Sequence, residues 1–234
     1  MADSRVRVVI LEDHQGIIDG YMYRLNRAPE IEVVGTAMYG EDLGPLLDRQ
    51  PGDVLLMDIN VPTSSKNHNS FPILHAIPEL LNKHPHLHIL VISRLNQPAL
   101  IEALIERGIS GYIFKNDQPS IQQLAKIILS TANDGVYFSP GAYPDLSEKG
   151  ETSGCPTSIL TPRQQEILSM CAAYPDLPTA ELAFRLGIVG STLRNLLSNA
   201  YFRLEVRTKA AAIARAQQLG LLTDSNLQAL QNGE

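Results

Sequence analysis

"VLLMDINVPTSS", residues 54–65, decides the fold. Val54 to Met57 are apolar without interruption, the composition of a strand covered on both faces, as in a parallel sheet. Asp58 follows at once, and an unpaired carboxylate at the end of a buried strand is costly. Either the strand stops there and Asp58 caps a turn, or a cation and other polar groups meet it.

Outward from this stretch, short β-branched runs recur: VRVVIL (6–11), IEVVGTA (31–37), DVLLMD (53–58), LHILVIS (87–93) and GYIFK (111–115). Between them IIDGYMYRL, EDLGPLLDRQ, FPILHAIPELL, PALIEALIERG and SIQQLAKIILSTA carry helical apolar spacing. This alternation predicts an α/β domain over 1–133, a five-stranded doubly wound parallel sheet. Residues 134–157, rich in Gly, Pro, Ser and charge, predict a linker. At 158–222 a small all-α domain is expected, opening at "LTPRQQEIL" with Thr161 as N-cap, Pro162 at the first helical position and Gln164 completing a capping box. Further helices are expected near 178–186, 190–204 and 208–219, leaving 223–234 as a tail.

Composition excludes several functions. The 234 residues are 44% hydrophobic, enough for real cores, yet no stretch has the roughly 18–20 apolar residues of a membrane span. The apolar run near the N-terminus stops at Glu12 and Asp13, unlike a secretory leader, so a cytoplasmic protein without a membrane partner is expected. Cys155 and Cys171 make no disulfide framework, and the six histidines form no metal-binding motif. The net charge of −6 hides an asymmetry. Residues 1–145 carry 11 Lys/Arg against 17 Asp/Glu, whereas 158–222 carry 7 against 4. Two modules with different partners are expected.

In an open parallel sheet, ligands bind beyond the carboxyl ends of the strands. Glu12 and Asp13 follow the first strand, Asp58 ends the third, Ser93 the fourth and Lys115 the fifth. Each alone has a plain structural role as a cap or a solvated end. Together they form a site of carboxylates, hydroxyl and ammonium suited to Mg²⁺ and a phosphoryl group, with Asp58 as nucleophile.

"LEDHQ", "LLMDINVP", "LVIS" and "GYIFK", in this order, resemble the receiver domain of bacterial two-component response regulators, a flavodoxin-like fold. The segment from "LTPRQQEIL" through "LGLL" resembles the helix-turn-helix output domain of the NarL/FixJ (LuxR-type) family. The resemblance implies a transcription regulator without enzyme activity of its own, phosphorylated on Asp58 by a sensor histidine kinase or a small phosphodonor. It implies that Asp13 and Asp58 bind Mg²⁺, that Glu12 acts through water, and that the Asn60 carbonyl completes the set. Ser93 and Lys115 correspond to the switch hydroxyl and the phosphate-binding lysine, Tyr112 to the aromatic that changes rotamer. A homodimer on palindromic promoter DNA follows, paired through the Ala-rich last helix.

For the recognition helix, the apolar stripe Leu193, Leu196, Leu197, Ala200, Tyr201 and Leu204 sets the core face. Ser191, Arg194, Asn195, Ser198 and Phe202 lie opposite. Base reading is assigned to Arg194 and Asn195, and phosphate contacts to Ser198, Asn199, Arg203 and Lys209.

The chain departs from the family at several positions. "TSSKNHNSFP" (63–72) is longer and more polar than usual, and Arg94 stands where many relatives have a small residue, an arrangement expected to shield an acyl phosphate from water. Pro178 and Val189 replace serine caps, Ala180 a lysine and Leu196 a histidine. These losses keep a second reading open, in which the output domain acts by protein–protein interaction.

Overall fold

The computed structural model describes residues 5–142 and 159–222, apart from the Ser191 side chain. Cys155, most of the expected linker and the tail 223–234 lie outside the described residues. The chain divides into two compact units, 1–142 and 143–234.

In the first unit β1 (Val6–Leu11), α1 (Gln15–Leu25), β2 (Ile31–Ala37), α2 (Gly40–Arg49), β3 (Val54–Met57) and α3 (Ile73–Lys83) alternate as the periodicity predicts. Then come β4 (His88–Ser93), α4 (Pro98–Glu106), β5 (Gly111–Phe114), α5 (Gln118–Gln122), α6 (Leu124–Ala132) and β6 (Tyr137–Phe138). The sheet order is β2-β1-β3-β4-β5-β6 and every pairing is parallel. Strand order reverses between β1 and β3, so the carboxyl ends of these two strands flank the crevice where ligands bind.

Alternate strand residues Val8, Ile10, Val54, Leu56, Leu90, Ile92 and Ile113 face one side and pack with Tyr21 and Leu25 of α1 and Leu124, Ile127 and Ile128 of α6. Their neighbours Val9, Leu11, Leu55, Met57, Ile89 and Val91 point the other way and are equally buried. Both faces are therefore covered, which is why β3 and β4 read as continuous apolar runs.

Two features depart from the expected plan. The sheet has six strands, not five, and the first unit runs to Ala142, so the stretch from 134 is not all linker. Two-residue β6 is too short for periodicity to show. Its signal is Gly111: a Cβ there would stand 2.3 Å from the Tyr137 carbonyl oxygen, so only glycine admits this neighbour. The helix expected over SIQQLAKIILSTA is broken at Gln123 into α5 and α6.

Pro78, inside α3, has no N–H for the carbonyl four residues earlier. That carbonyl, on Leu74, accepts instead from Nη1 of Arg107, the C-cap of α4, at 3.0 Å.

The second unit holds α7 (Pro162–Ala173), α8 (Thr179–Arg185), α9 (Gly190–Arg203) and α10 (Lys209–Gln218). The capping box is present: Gln164 N donates to Thr161 Oγ1, and Thr161 N to Gln164 Oε1. Pro178 and Val189 cap α8 and α9 without any side-chain hydrogen bond, as their chemistry requires. Leu168, Cys171, Leu182, Leu193, Tyr201 and Ala212 are buried. Gly187 turns the chain between α8 and α9 at φ +63, and Glu205 adopts φ +55 after α9.

Candidate functional site

Four strand ends deliver the polar residues that the spacing selects. Glu12 and Asp13 leave β1, Asp58 leaves β3, Ser93 closes β4 and Lys115 follows β5. Neighbouring parallel strands finish at one level, so their next residues converge on one edge. Glu12 (1% exposed), Asp58 (5%) and Ser93 (0%) are among the few buried polar residues of the unit.

Lys115 answers the question raised by Asp58. Its Nζ lies 2.7 Å from Asp58 Oδ2 and 2.7 Å from Glu12 Oε2, one ammonium bridging two buried carboxylates. Asp58 Oδ1 accepts from the Asn60 backbone N–H at 3.2 Å. Burial nevertheless drives the Glu12 carboxyl above its ordinary range, although Lys115 pulls against that. Both Glu12 oxygens are engaged, the second by the His14 N–H at 3.4 Å. Asp13 is more open, and its Oδ1 contacts His14 Nδ1 at 2.7 Å.

A hollow of about 120 Å³ opens here, lined by Asp13, His14, Ile17, Asp58, Asn60, Arg94 and Lys115. The donors of Asp13 and Asp58, with the backbone of Asn60, are oxygens, and they fit a hard divalent cation. Ser93 is fully buried, and its Oγ accepts from the Leu95 N–H at 3.1 Å. The Tyr112 ring is buried too, and its hydroxyl donates to the Leu95 carbonyl at 2.6 Å. The structure thus brings Glu12, Asp13, Asp58, Asn60 and Lys115 together, with Ser93 and Tyr112 joined through Leu95. Sequence reasoning passed over His14, for which adjacency to Asp13 was the available signal, and Leu95, which acts only through its backbone.

The unusual loop after β3 is ordered. Pro62 and Ser70 form an antiparallel bridge, Thr63 N donates to Asn69 O at 2.8 Å, and buried Ser64 accepts from the N–H groups of Lys66 and Asn67. The carbonyls of Pro62 and Thr63 accept from Gly40 and Glu41 at the start of α2. The loop is a small hairpin pinned beside Asn60.

Residues 8–128 match the response regulator receiver domain family. The chain belongs to the response regulators, of the NarL/FixJ type. The regulator is 30% identical to the transcriptional regulatory protein MctR of Rhizobium johnstonii, over 94% of this chain and 96% of that one. It is 29% identical to DesR of Bacillus subtilis, over 92% and 98%. Its fold is similar to RcsB of Salmonella typhimurium, with a TM-score of 0.53 and 20% identity over 92% and 99%. The similarity to a structure of the response regulator RcsB with DNA has a TM-score of 0.54 at 22% identity, over 94% and 100%.

On α9 the regulator differs from the expected open polar face. Ser198 (6% exposed) and Phe202 (7%) are buried, while Leu196, assigned to the core stripe, is half-buried. Arg194 and Asn195 are half-buried, with Arg194 Nη2 and Asn195 Oδ1 shielded from solvent. Asn199 is half-buried and Arg203 exposed. Lys209 Nζ donates to the Pro175 carbonyl at 2.8 Å. No helix among the described residues is long and apolar enough to cross a membrane.

Proposed function

We propose that the protein is a cytoplasmic, phosphorylation-controlled DNA-binding transcriptional regulator whose phosphoacceptor is Asp58. The observation that carries this is Lys115 Nζ bridging Asp58 and Glu12 at the strand ends, beside a small hollow that Asp13 and Asn60 line. Asp13, Asp58 and the Asn60 carbonyl would hold Mg²⁺, which would supply neutralisation of charge on a transferring phosphoryl group. Asp58 attacks the phosphorus of a sensor kinase's phosphohistidine. The new O–P bond forms as the P–N bond breaks, and the electron pair returns to the imidazole, which takes up a proton. Lys115 and the Ser93 hydroxyl then hold phosphoryl oxygens. The Ser93 Oγ accepts from the Leu95 N–H and the Leu95 carbonyl is Tyr112's partner, so a shift of the hydroxyl toward the phosphoryl group would reach the aromatic ring.

In the output domain, residues 158–222, Arg194 and Asn195 are the base readers, with Ser198, Asn199, Arg203 and Lys209 toward phosphates. Ser198 is buried, so its contact with a phosphate would require its surroundings to open, whereas Arg203 is already exposed. Asn195 Oδ1 has no hydrogen-bond partner, and adenine N6 would supply one. Ala210 and Ala214 leave an exposed small-residue face on α10 on which a homodimer can pair.

The test is selection from a random duplex library with and without beryllofluoride, with oligomeric state measured in parallel. A palindrome enriched more strongly with beryllofluoride supports the proposal. No enrichment in either state overturns it in favour of a protein-binding output, the reading that the missing basic residue at Ala180 and the exposed Phe184 (80%) would then favour.

A further inference from the structure

We infer that Arg94 is a third phosphoryl ligand, closing over phospho-Asp58 by charge. This rests on the reading of Asp58 as phosphoacceptor. Arg94 follows Ser93 at the end of β4 and borders three hollows. One is the 120 Å³ hollow of Asp58, one a groove of about 570 Å³ shared with Lys115, Tyr21 and Arg24, and one lies beside Asn96 and Asp117. Its side chain is exposed and makes no ion pair or hydrogen bond among the described residues. By contrast Arg7 is paired with Asp53, Arg24 donates to Gly20 O and Arg107 to Leu74 O. A five-donor cation without a partner among the described residues thus stands at the wall of the hollow that Asp13 and Asp58 line.

Charge balance gives this cation a task. With a divalent cation bound, Lys115 and that cation would together offset the charges of Glu12, Asp13 and Asp58. Phosphorylation replaces the single charge of Asp58 by about two. Roughly one negative charge is left over, and Lys115 is already shared between two carboxylates. The Arg94 guanidinium neutralises it, with a planar fork matched to phosphoryl oxygens. The same placement lays the side chain across the open side of the group, which is how it would exclude water.

The experiment titrates the full chain, in Mg²⁺, with beryllofluoride followed by ¹⁹F NMR, for the wild type and for Arg94→Lys, Arg94→Met and Arg94→Ala. Thermal melts confirm that each variant folds. Loss of one charge-assisted hydrogen bond at an open site is expected to weaken binding about tenfold in Arg94→Met and Arg94→Ala, while Arg94→Lys stays within about threefold. Met keeps the bulk without the charge, so Arg94→Met binding like the wild type overturns the inference. So does an Arg94→Ala variant that binds unchanged. If the wild type binds beryllofluoride but the variants do not differ from it, Asp58 stands as phosphoacceptor and Arg94 does not. Wild type that neither binds beryllofluoride nor gains a phosphoryl group on Asp58 by mass overturns both.

Discussion

At the scale of single residues, one member of the site opposes folding when charged. Glu12 is buried and its carboxyl lies above its ordinary value of 4.5, chiefly from desolvation. A raised folded pKa means that stability present below pH 4.5 is lost as pH rises through the higher folded value. Glu12→Gln, which mimics the protonated form, is therefore expected to raise the melting temperature at pH 7, with the gain vanishing below pH 4.5, while divalent cation affinity measured by calorimetry falls. Asp58→Asn is expected to abolish hydroxylamine-sensitive phosphorylation, read by intact mass after incubation with acetyl phosphate, and to leave folding intact. Glu205 sits at φ +55, where a Cβ is strained. Glu205→Gly is expected to stabilise the output domain by up to about 1 kcal/mol in urea melts, partly offset by the greater freedom of unfolded glycine.

Among elements, the legible parts were those with period and length. β3 and β4 declared themselves because sheets covered on both faces demand unbroken apolar runs, and α7 because Thr161, Pro162 and Gln164 are chemically committed to a helix start. The site residues were legible for a related reason: strand ends in a parallel sheet have one address. β6 was not, since two residues carry no period and its determinant is an absent side chain at Gly111. Nor did the α9 pattern reveal that Ser198 and Phe202 are buried, because a polar residue on a helix names a face without saying whether that face is open. Val189 shows the cost of a missing cap: its side chain is 56% exposed and makes no cap hydrogen bond at the start of α9. Val189→Ser is expected to stabilise the output domain by about 1 kcal/mol, measured by thermal melt.

For the whole molecule, acid stability rests on carboxylates held below their ordinary range. Burial pushes Asp53 up, but hydrogen bonds from the Arg7 side chain and backbone outweigh it, and the net shift is downward. Such a group contributes stability above its unfolded value of 3.8, lost as pH falls through its lower folded value. Arg7→Met is expected to move the acid unfolding midpoint upward, followed by circular dichroism, with a loss near neutrality of about 0.5–1 kcal/mol because the pair is partly solvated. The proline inside α3 has a wider consequence. By freeing the Leu74 carbonyl for Arg107, it bolts the far end of α4 to its neighbour, while the near end is tethered through Leu95 to the Tyr112 hydroxyl. A rod of nine residues, about 14 Å long, is thus held by one side-chain hydrogen bond near each end, 3.0 Å at Arg107 and 2.6 Å through Leu95. Loss of the Tyr112 bond would release the Pro98 end while the Arg107 contact remained, so an event at the buried ring would be felt on the exposed surface where α4 begins.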